Sequence, residues 1–150
     1  MSVPVPASIW HTPFPLAEAN QKGLACANGH LGIEVVEVGS DFLRARMPVD
    51  QRTRQPAGVL HGGASVVLAE TLASWAAAYV VDPSRFHCVG QEINANHVRA
   101  VRSGWVYGEA RAHHIGRSTH VWEVKITNEE DKLVSIARVT MAVLNHAIQY

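Results

Sequence analysis

One carboxylate stands alone in the most apolar stretch of the chain. From Ala64 to Val81 the sequence reads ASVVLAETLASWAAAYVV, and Glu70 is its only charged residue. A glutamate in such surroundings costs several kcal/mol unless it is paired, solvated or put to use. Put to use, it is a nucleophile or a general base. The plainer alternative is a glutamate that faces a solvated groove or bonds a neighbouring chain. Ser74 lies four residues on, on the same helical face, where its hydroxyl could hold a water or a ligand oxygen beside the carboxylate.

A second group of residues lies just ahead of that stretch. His61-Gly62-Gly63 stands at the start of the helix. A helix N-terminus carries unpaired N–H groups and partial positive charge, and glycine lets a carbonyl or oxyanion come close. That is the make-up of an oxyanion hole for acyl transfer. Gln55, six residues before His61, offers an amide that can donate to a carbonyl oxygen or orient a water. Further on, His97, Arg99 and Arg102 cluster at one strand end, and Gly116-Arg117-Ser118-Thr119 fills a turn. Arginine with hydroxyls and glycine N–H groups suits phosphates, although each group alone is equally an ordinary solvated turn.

Spacing sets a condition on these groups. Gly62 and Glu70 are eight residues apart on one helix, roughly 12 Å of rise at about 1.5 Å per residue. Both must come within about 3 Å of one reacting carbonyl to act on it together, and a glutamate side chain cannot close that gap. If they share a substrate they come from different chains. A two-fold dimer with antiparallel helices places Gly62 of one chain beside Glu70 of the other, twice.

The elements that must position these groups are legible as patterns. Ala64 to Val81 lacks Gly and Pro and is rich in Ala and Leu, which predicts a helix of about 18 residues, stopped by Asp82-Pro83. Being apolar nearly all round, it is expected to be buried on most sides. Leu16 to Ala25 predicts a short helix. Ile33 to Val38 and Phe42 to Val49 predict a hairpin across Gly39-Ser40-Asp41, with Leu43, Ala45 and Met47 on the face opposite Phe42, Arg44 and Arg46. Four further strands are expected at His87–Val98, Trp105–His114, Thr119–Asn128 and Leu133–Leu144, joined by tight turns and therefore antiparallel. Six strands and one buried helix make an α+β arrangement in which a sheet curls around the helix. Residues 1–15, with Pro4, Pro6, Pro13 and Pro15, are expected to form a flexible arm, and 16–150 a single domain.

Composition narrows the function. The chain has 150 residues, 47% of them hydrophobic and 17% charged, with net charge zero. The low charge hints at surface buried against other subunits. No basic stripe of a nucleic-acid binder is present. The N-terminal residues lack the pattern of a secretory signal, and the longest apolar run, Leu72–Val81, is half what a membrane span needs; a cytoplasmic protein with no membrane partner is the expectation. Cys26 and Cys88 read as free thiols of a reducing compartment. Nine histidines raise the question of metal, but His113 and His114 face opposite ways in a strand and no metal-ligand spacing occurs.

Pro48 to Thr71, PVDQRTRQPAGVLHGGASVVLAET, together with VGQEINANHVRAVRSGWVYGEA from Val89, resembles the hotdog-fold acyl-CoA thioesterases. The likeness is to the branch with a helix glutamate, which acts on 4-hydroxybenzoyl-CoA, phenylacetyl-CoA and 1,4-dihydroxy-2-naphthoyl-CoA. It covers roughly residues 28–144 and is carried by Q-P-x-G-x-x-H-G-G, six residues, then E. The resemblance implies a helix wrapped by a curved sheet of five or six mostly antiparallel strands, and a tetramer built from dimers. It implies hydrolysis of an aromatic or bulky acyl-CoA with no cofactor, CoA being part of the substrate. Residue by residue it implies Glu70 as the catalytic carboxylate and Gly62 as the backbone donor to the thioester oxygen. Gln55 and His61 would help polarise the carbonyl, and Ser74 would stand near the attacking water. His97, Arg99, Arg117 and Ser118 fall where the family contacts CoA. Trp75 departs from the smaller aliphatic residues of relatives; it either narrows the acyl pocket or packs in the core. Two rivals stand beside this reading: a hotdog hydratase or dehydratase using His61 and Glu70, and a non-enzymatic acyl-CoA binder, for which 150 residues leave no output module.

Overall fold

A computed structural model describes residues 7–146. Its elements in chain order are α1 (Leu16–Gly23), α2 (Ala27–Leu31), β1 (Glu34–Val38), β2 (Phe42–Pro48), α3 (Gly62–Val80), β3 (Phe86–His97), β4 (Trp105–Ile115), β5 (Thr119–Asn128) and β6 (Leu133–Asn145). The six strands form one sheet in the order β1-β2-β4-β5-β6-β3, and every neighbouring pair is antiparallel. The α3 crossing carries the chain from one side of the sheet to the other, so β3 becomes an edge strand.

The alternation in β2 works as expected. Leu43, Ala45 and Met47 are fully buried, while Arg46 lies over the Trp105 ring at 4.4 Å and Arg111 over Phe42 at 4.6 Å. On α3, Leu68, Ala69, Leu72, Ala73, Ala76 and Ala77 are fully buried, and the helix packs against β2, β3, β4, β5 and β6. Each buried leucine contributes about 1.5–3 kcal/mol, and the alanines let the sheet approach the helix axis closely. This is the hotdog arrangement, a long helix in the concavity of a curved antiparallel sheet. By length and composition alone Gly62–Val80 could cross a membrane; here its apolar residues supply the core.

Two expectations are corrected. The helix is not buried on most sides: the sheet covers one face, and Glu70 and Ala78 are exposed, with Val67 and Ser74 half-buried. Nor is the described part of the arm loose. Residues 1–6 lie outside the described residues, but the Ile9 N–H donates to Ser40 O at 2.9 Å and the His11 N–H to Tyr79 O at 2.9 Å. The Trp10 indole N–H donates to Gly39 O at 2.7 Å, and Phe14 packs on Tyr79 with ring centroids 4.7 Å apart. Aromatic burial and backbone pairing outweigh the prolines.

In β3 the pairing with β6 shifts register between Gly90 and Glu92, leaving Gln91 as an extra residue. β3 runs back along α3: its Cys88 thiol lies 3.5 Å from Ala77 O, and its His97 end meets the start of the helix.

Candidate active site

The N-terminal end of α3 is held by a tightly tied loop. The buried Thr53 hydroxyl donates to Pro48 O at 2.7 Å, the His61 N–H to Thr53 O at 2.8 Å and the Leu60 N–H to Val101 O at 2.8 Å. His61 is the N-cap, its Nδ1 accepting from the Gly63 N–H at 2.8 Å. An accepting Nδ1 leaves the proton of the neutral ring on Nε2. The next amide, that of Gly62, has no acceptor among the described residues. A Cβ at Gly62 would come within 2.9 Å of His97 Nε2, so the ring lies directly over the glycine and only glycine leaves both in place.

Gln55, Leu60, Gly62, Ser65, His97 and Arg99 line a groove of about 430 Å³ at this end. Gln55 Oε1 accepts from the Ala57 N–H, which turns its role to that of a donor through Nε2. Arg99 Nε donates to Leu133 O at 3.1 Å. His61 does not line this groove; the structure places it as the cap that orders the Gly62-Gly63 turn.

The middle of α3 borders a second groove of about 320 Å³, lined by Ala27, Asn28, Val67, Glu70, Thr71, Ser74 and Trp75. Glu70 is exposed and makes no ion pair or hydrogen bond among the described residues. A Cβ at Gly90 of β3 would meet Glu70 Oε1 at 2.6 Å, so the carboxylate rests on a strip of bare backbone. The Ser74 hydroxyl lies 4.0 Å from Met141 Sδ. Trp75 lines this groove and packs against Phe14, ring centroids 6.0 Å apart.

The candidate residues thus divide between two separate grooves. Gly62, Gln55, His97 and Arg99 belong to the first, and Glu70, Ser74 and Trp75 to the second. Arg117 and Ser118 border neither. They lie in the β4–β5 turn, where the Val143 N–H donates to Ser118 O at 3.0 Å, level with the Cys88–Val89 end of β3. That is the Glu70 end of the sheet, opposite His97. Burial pushes the Cys88 thiol up to about 11 and draws His120 below its ordinary value; neither lines a groove. No group of three His, Cys, Asp or Glu side chains able to hold a metal occurs among the described residues.

Sequence reasoning missed Gly90, Asn28 and Thr71. The signal for Gly90 was available, since an isolated glycine within a strand marks a bulge or a close approach. Asn28 carried none, because its role depends on the Thr71 hydroxyl 43 residues away, which donates to its Oδ1 at 3.1 Å.

The Thioesterase superfamily model matches residues 57–135. A 1,4-dihydroxy-2-naphthoyl-CoA hydrolase of Escherichia coli is 44% identical over 136 residues, covering 91% of this chain and 99% of that protein. A proofreading thioesterase, EntH, of Cronobacter turicensis is 43% identical over 136 residues, covering 91% and 98%. The crystal structure of a mutant thioesterase from Pseudomonas aeruginosa superposes with a TM-score of 0.90 at 47% identity, covering 92% of this chain and 99% of that one. A family match over more than half the chain, relatives aligned over nearly their full length and the shared architecture agree: the chain belongs to the thioesterase superfamily and is a thioester hydrolase of the hotdog fold.

Proposed function

We propose that the protein hydrolyses an aromatic or otherwise bulky acyl-CoA to the free acid and CoA, at two sites formed across a dimer. The observation that carries this reading is the separation of an unpaired backbone donor, Gly62, from an unpaired carboxylate, Glu70, on one helix. Each borders its own open groove, and each is half of what thioester hydrolysis needs. The uncovered face of α3 and the twelve-residue edge strand β3 favour a partner there, since an exposed strand edge invites pairing. A two-fold through the middle of β3, near Ile93 and Asn94, brings the Gly90 end of one strand beside the His97 end of the other. Glu70 of one chain then faces Gly62 of its partner.

In this arrangement the thioester carbonyl lies in the Gly62–Gln55 groove and its oxygen accepts from the Gly62 N–H, with the Gln55 amide in support. Glu70 of the partner either attacks the carbonyl carbon, CoA leaving as the thiolate and water then hydrolysing the mixed anhydride to the free acid and Glu70, or takes a proton from a water that attacks and passes it to the departing CoA thiolate. Ser74, one turn along, holds that water. His97 and Arg99 flank the CoA side of the groove. Arg117 and Ser118 of the partner approach from about 10 Å away, two strand spacings across the sheet, to meet phosphate. The 1,4-dihydroxy-2-naphthoyl-CoA hydrolase relative supports an aromatic acyl group. Assembly of such dimers into a tetramer and a cytoplasmic location belong to the same proposal.

The test is CoA release from aryl, β-keto and straight-chain acyl-CoAs by the native protein and by Glu70→Ala. Turnover confined to the native protein supports the reading; equal turnover by both sinks the role of Glu70. Single turnover in ¹⁸O-water separates the two routes, since label enters Glu70 only if it is the nucleophile.

A further inference from the structure

Within the Glu70 groove, the side chain of Asn28 is anchored yet only half used. It belongs to α2, outside residues 57–135 that the superfamily model matches. Its backbone carbonyl accepts from the Ile33 N–H at 2.8 Å, and α2 ends at Gly32 in the left-handed region, φ 69°. Its Oδ1 accepts from the Thr71 hydroxyl at 3.1 Å. Both ends of the residue are therefore fixed, one to the loop and one to the catalytic helix. The remaining amide group, Nδ2, has no acceptor among the described residues, and the residue lines the groove beside Glu70. Beside Glu70, Thr71 and Ser74, the groove has apolar walls in Ala27, Val67 and the Trp75 ring, which packs against Phe14.

An orienting donor held rigid among apolar walls fits a flat acyl body that carries an oxygen. We propose that Asn28 is a specificity-determining residue of the thioesterase, its Nδ2 donating to a hydroxyl or carbonyl oxygen on the acyl group. Thr71 is the positioning residue that holds the amide in that orientation. The inference rests on the reading of the Glu70 groove as the acyl side of the site. Discrimination follows from physics already in the groove. An acyl group with a well-placed oxygen gains a hydrogen bond, and one without it leaves the amide stripped of water and unpaired.

The experiment compares kcat/KM for benzoyl-CoA with that for its 2-, 3- and 4-hydroxy isomers. In the native protein one isomer is expected to exceed benzoyl-CoA. In Asn28→Leu the ratio of that isomer to benzoyl-CoA is expected to fall about tenfold, the effect of one neutral hydrogen bond. Thr71→Val, which removes the hydroxyl that orients the amide and keeps Asn28 itself, is expected to lower the same ratio less. An unchanged ratio in both variants, or an equal loss on all four thioesters, overturns the assignment, because a merely structural residue does not sense a ring hydroxyl. If Asn28→Leu loses its fold, the ratio in Thr71→Val decides alone. A native protein that turns over no thioester, or a Glu70→Ala variant as active as native, fails the acyl-CoA reading itself, which the hydroxyl ratio does not test.

Discussion

The two ends of the functional half of α3 are built on opposite principles. At Gly62 the group on offer is a main-chain N–H, and its surroundings leave that amide bare: a cap that satisfies its neighbour, a loop tied at three points, and a histidine ring pressed against a missing side chain. At Glu70 the chemistry is a side chain on an exposed face, resting on the backbone of Gly90 and bonded to nothing. The first end can be blocked by substitution but not deleted; the second can be deleted at no cost to the fold. A backbone donor demands local rigidity, whereas a carboxylate demands only a place to stand and a partner to supply the other half.

The largest effect that would sharpen this contrast is expected at Glu70. Glu70→Ala should lower kcat by about 10² to 10⁴ while leaving the melting temperature near native, because the residue is exposed and unpaired; a steady-state assay beside a thermal melt checks both. Next, Gly62→Ala, which keeps the N–H but sets a Cβ against His97 at the mouth of the groove, should lower kcat by up to about the 10² to 10³ that loss of one oxyanion donor costs. The added Cβ collides with His97, so a modest drop in melting temperature should accompany it. The two variants together test whether the ends belong to different chains. After unfolding and co-refolding of Gly62→Ala with Glu70→Ala, half the dimers are mixed and each has one intact site, so roughly a quarter of native activity should return. No recovery would place both ends on one substrate within a single chain, or neither.

Gln55→Ala should follow with a fall of about tenfold, since it removes a supporting hydrogen bond rather than the main one. The smallest effect is expected at Cys88, which lines neither groove. Burial raises the Cys88 thiol from 9.0 to about 11, so as pH rises the unfolded chain ionises first. The resulting stabilisation is complete below pH 9 and is lost as pH climbs to about 11. Cys88→Ala should flatten the stability profile across that window. At pH 8, iodoacetamide should label the exposed Cys26 and spare Cys88.

The strands were legible because β2, β4 and β5 alternate over much of their length, and α3 was legible because an alanine- and leucine-rich stretch runs without Gly or Pro from Ala64 to Asp82-Pro83. Which face of α3 remains open was hidden, since residues of that face such as Val67, Trp75 and Ala78 are as apolar as those of the buried one. An apolar face left uncovered by the sheet reads, in sequence, like core. The short α2 was hidden for another reason: Ala27-Asn28-Gly29-His30-Leu31 has poor helix propensity, and the turn is held by its left-handed Gly32 and by Thr71 on another helix. The tethering of residues 9–14 came from aromatic contacts with α3 that no local pattern announces. Among the candidate residues, Gln55, Gly62, Glu70 and Ser74 were legible from residue type, spacing and the family resemblance, Gly90 only as an isolated glycine in a strand, and Asn28 not without the fold.

The extra residue in β3 is a matter of parity. Gly90 and His97 are seven positions apart, an odd count, and in a regular strand they would point to opposite sides of the sheet. Both must face the helix, one beneath Glu70 and the other above Gly62, and the bulge at Gln91 converts the odd count to an even one: the partners on β6, Met141 and Ser135, are six apart. The two ends of the site are therefore kept in phase by one residue that touches neither. Removing Gln91 would leave every other side chain in the sequence unchanged, yet turn one end of the site to the outside of the sheet.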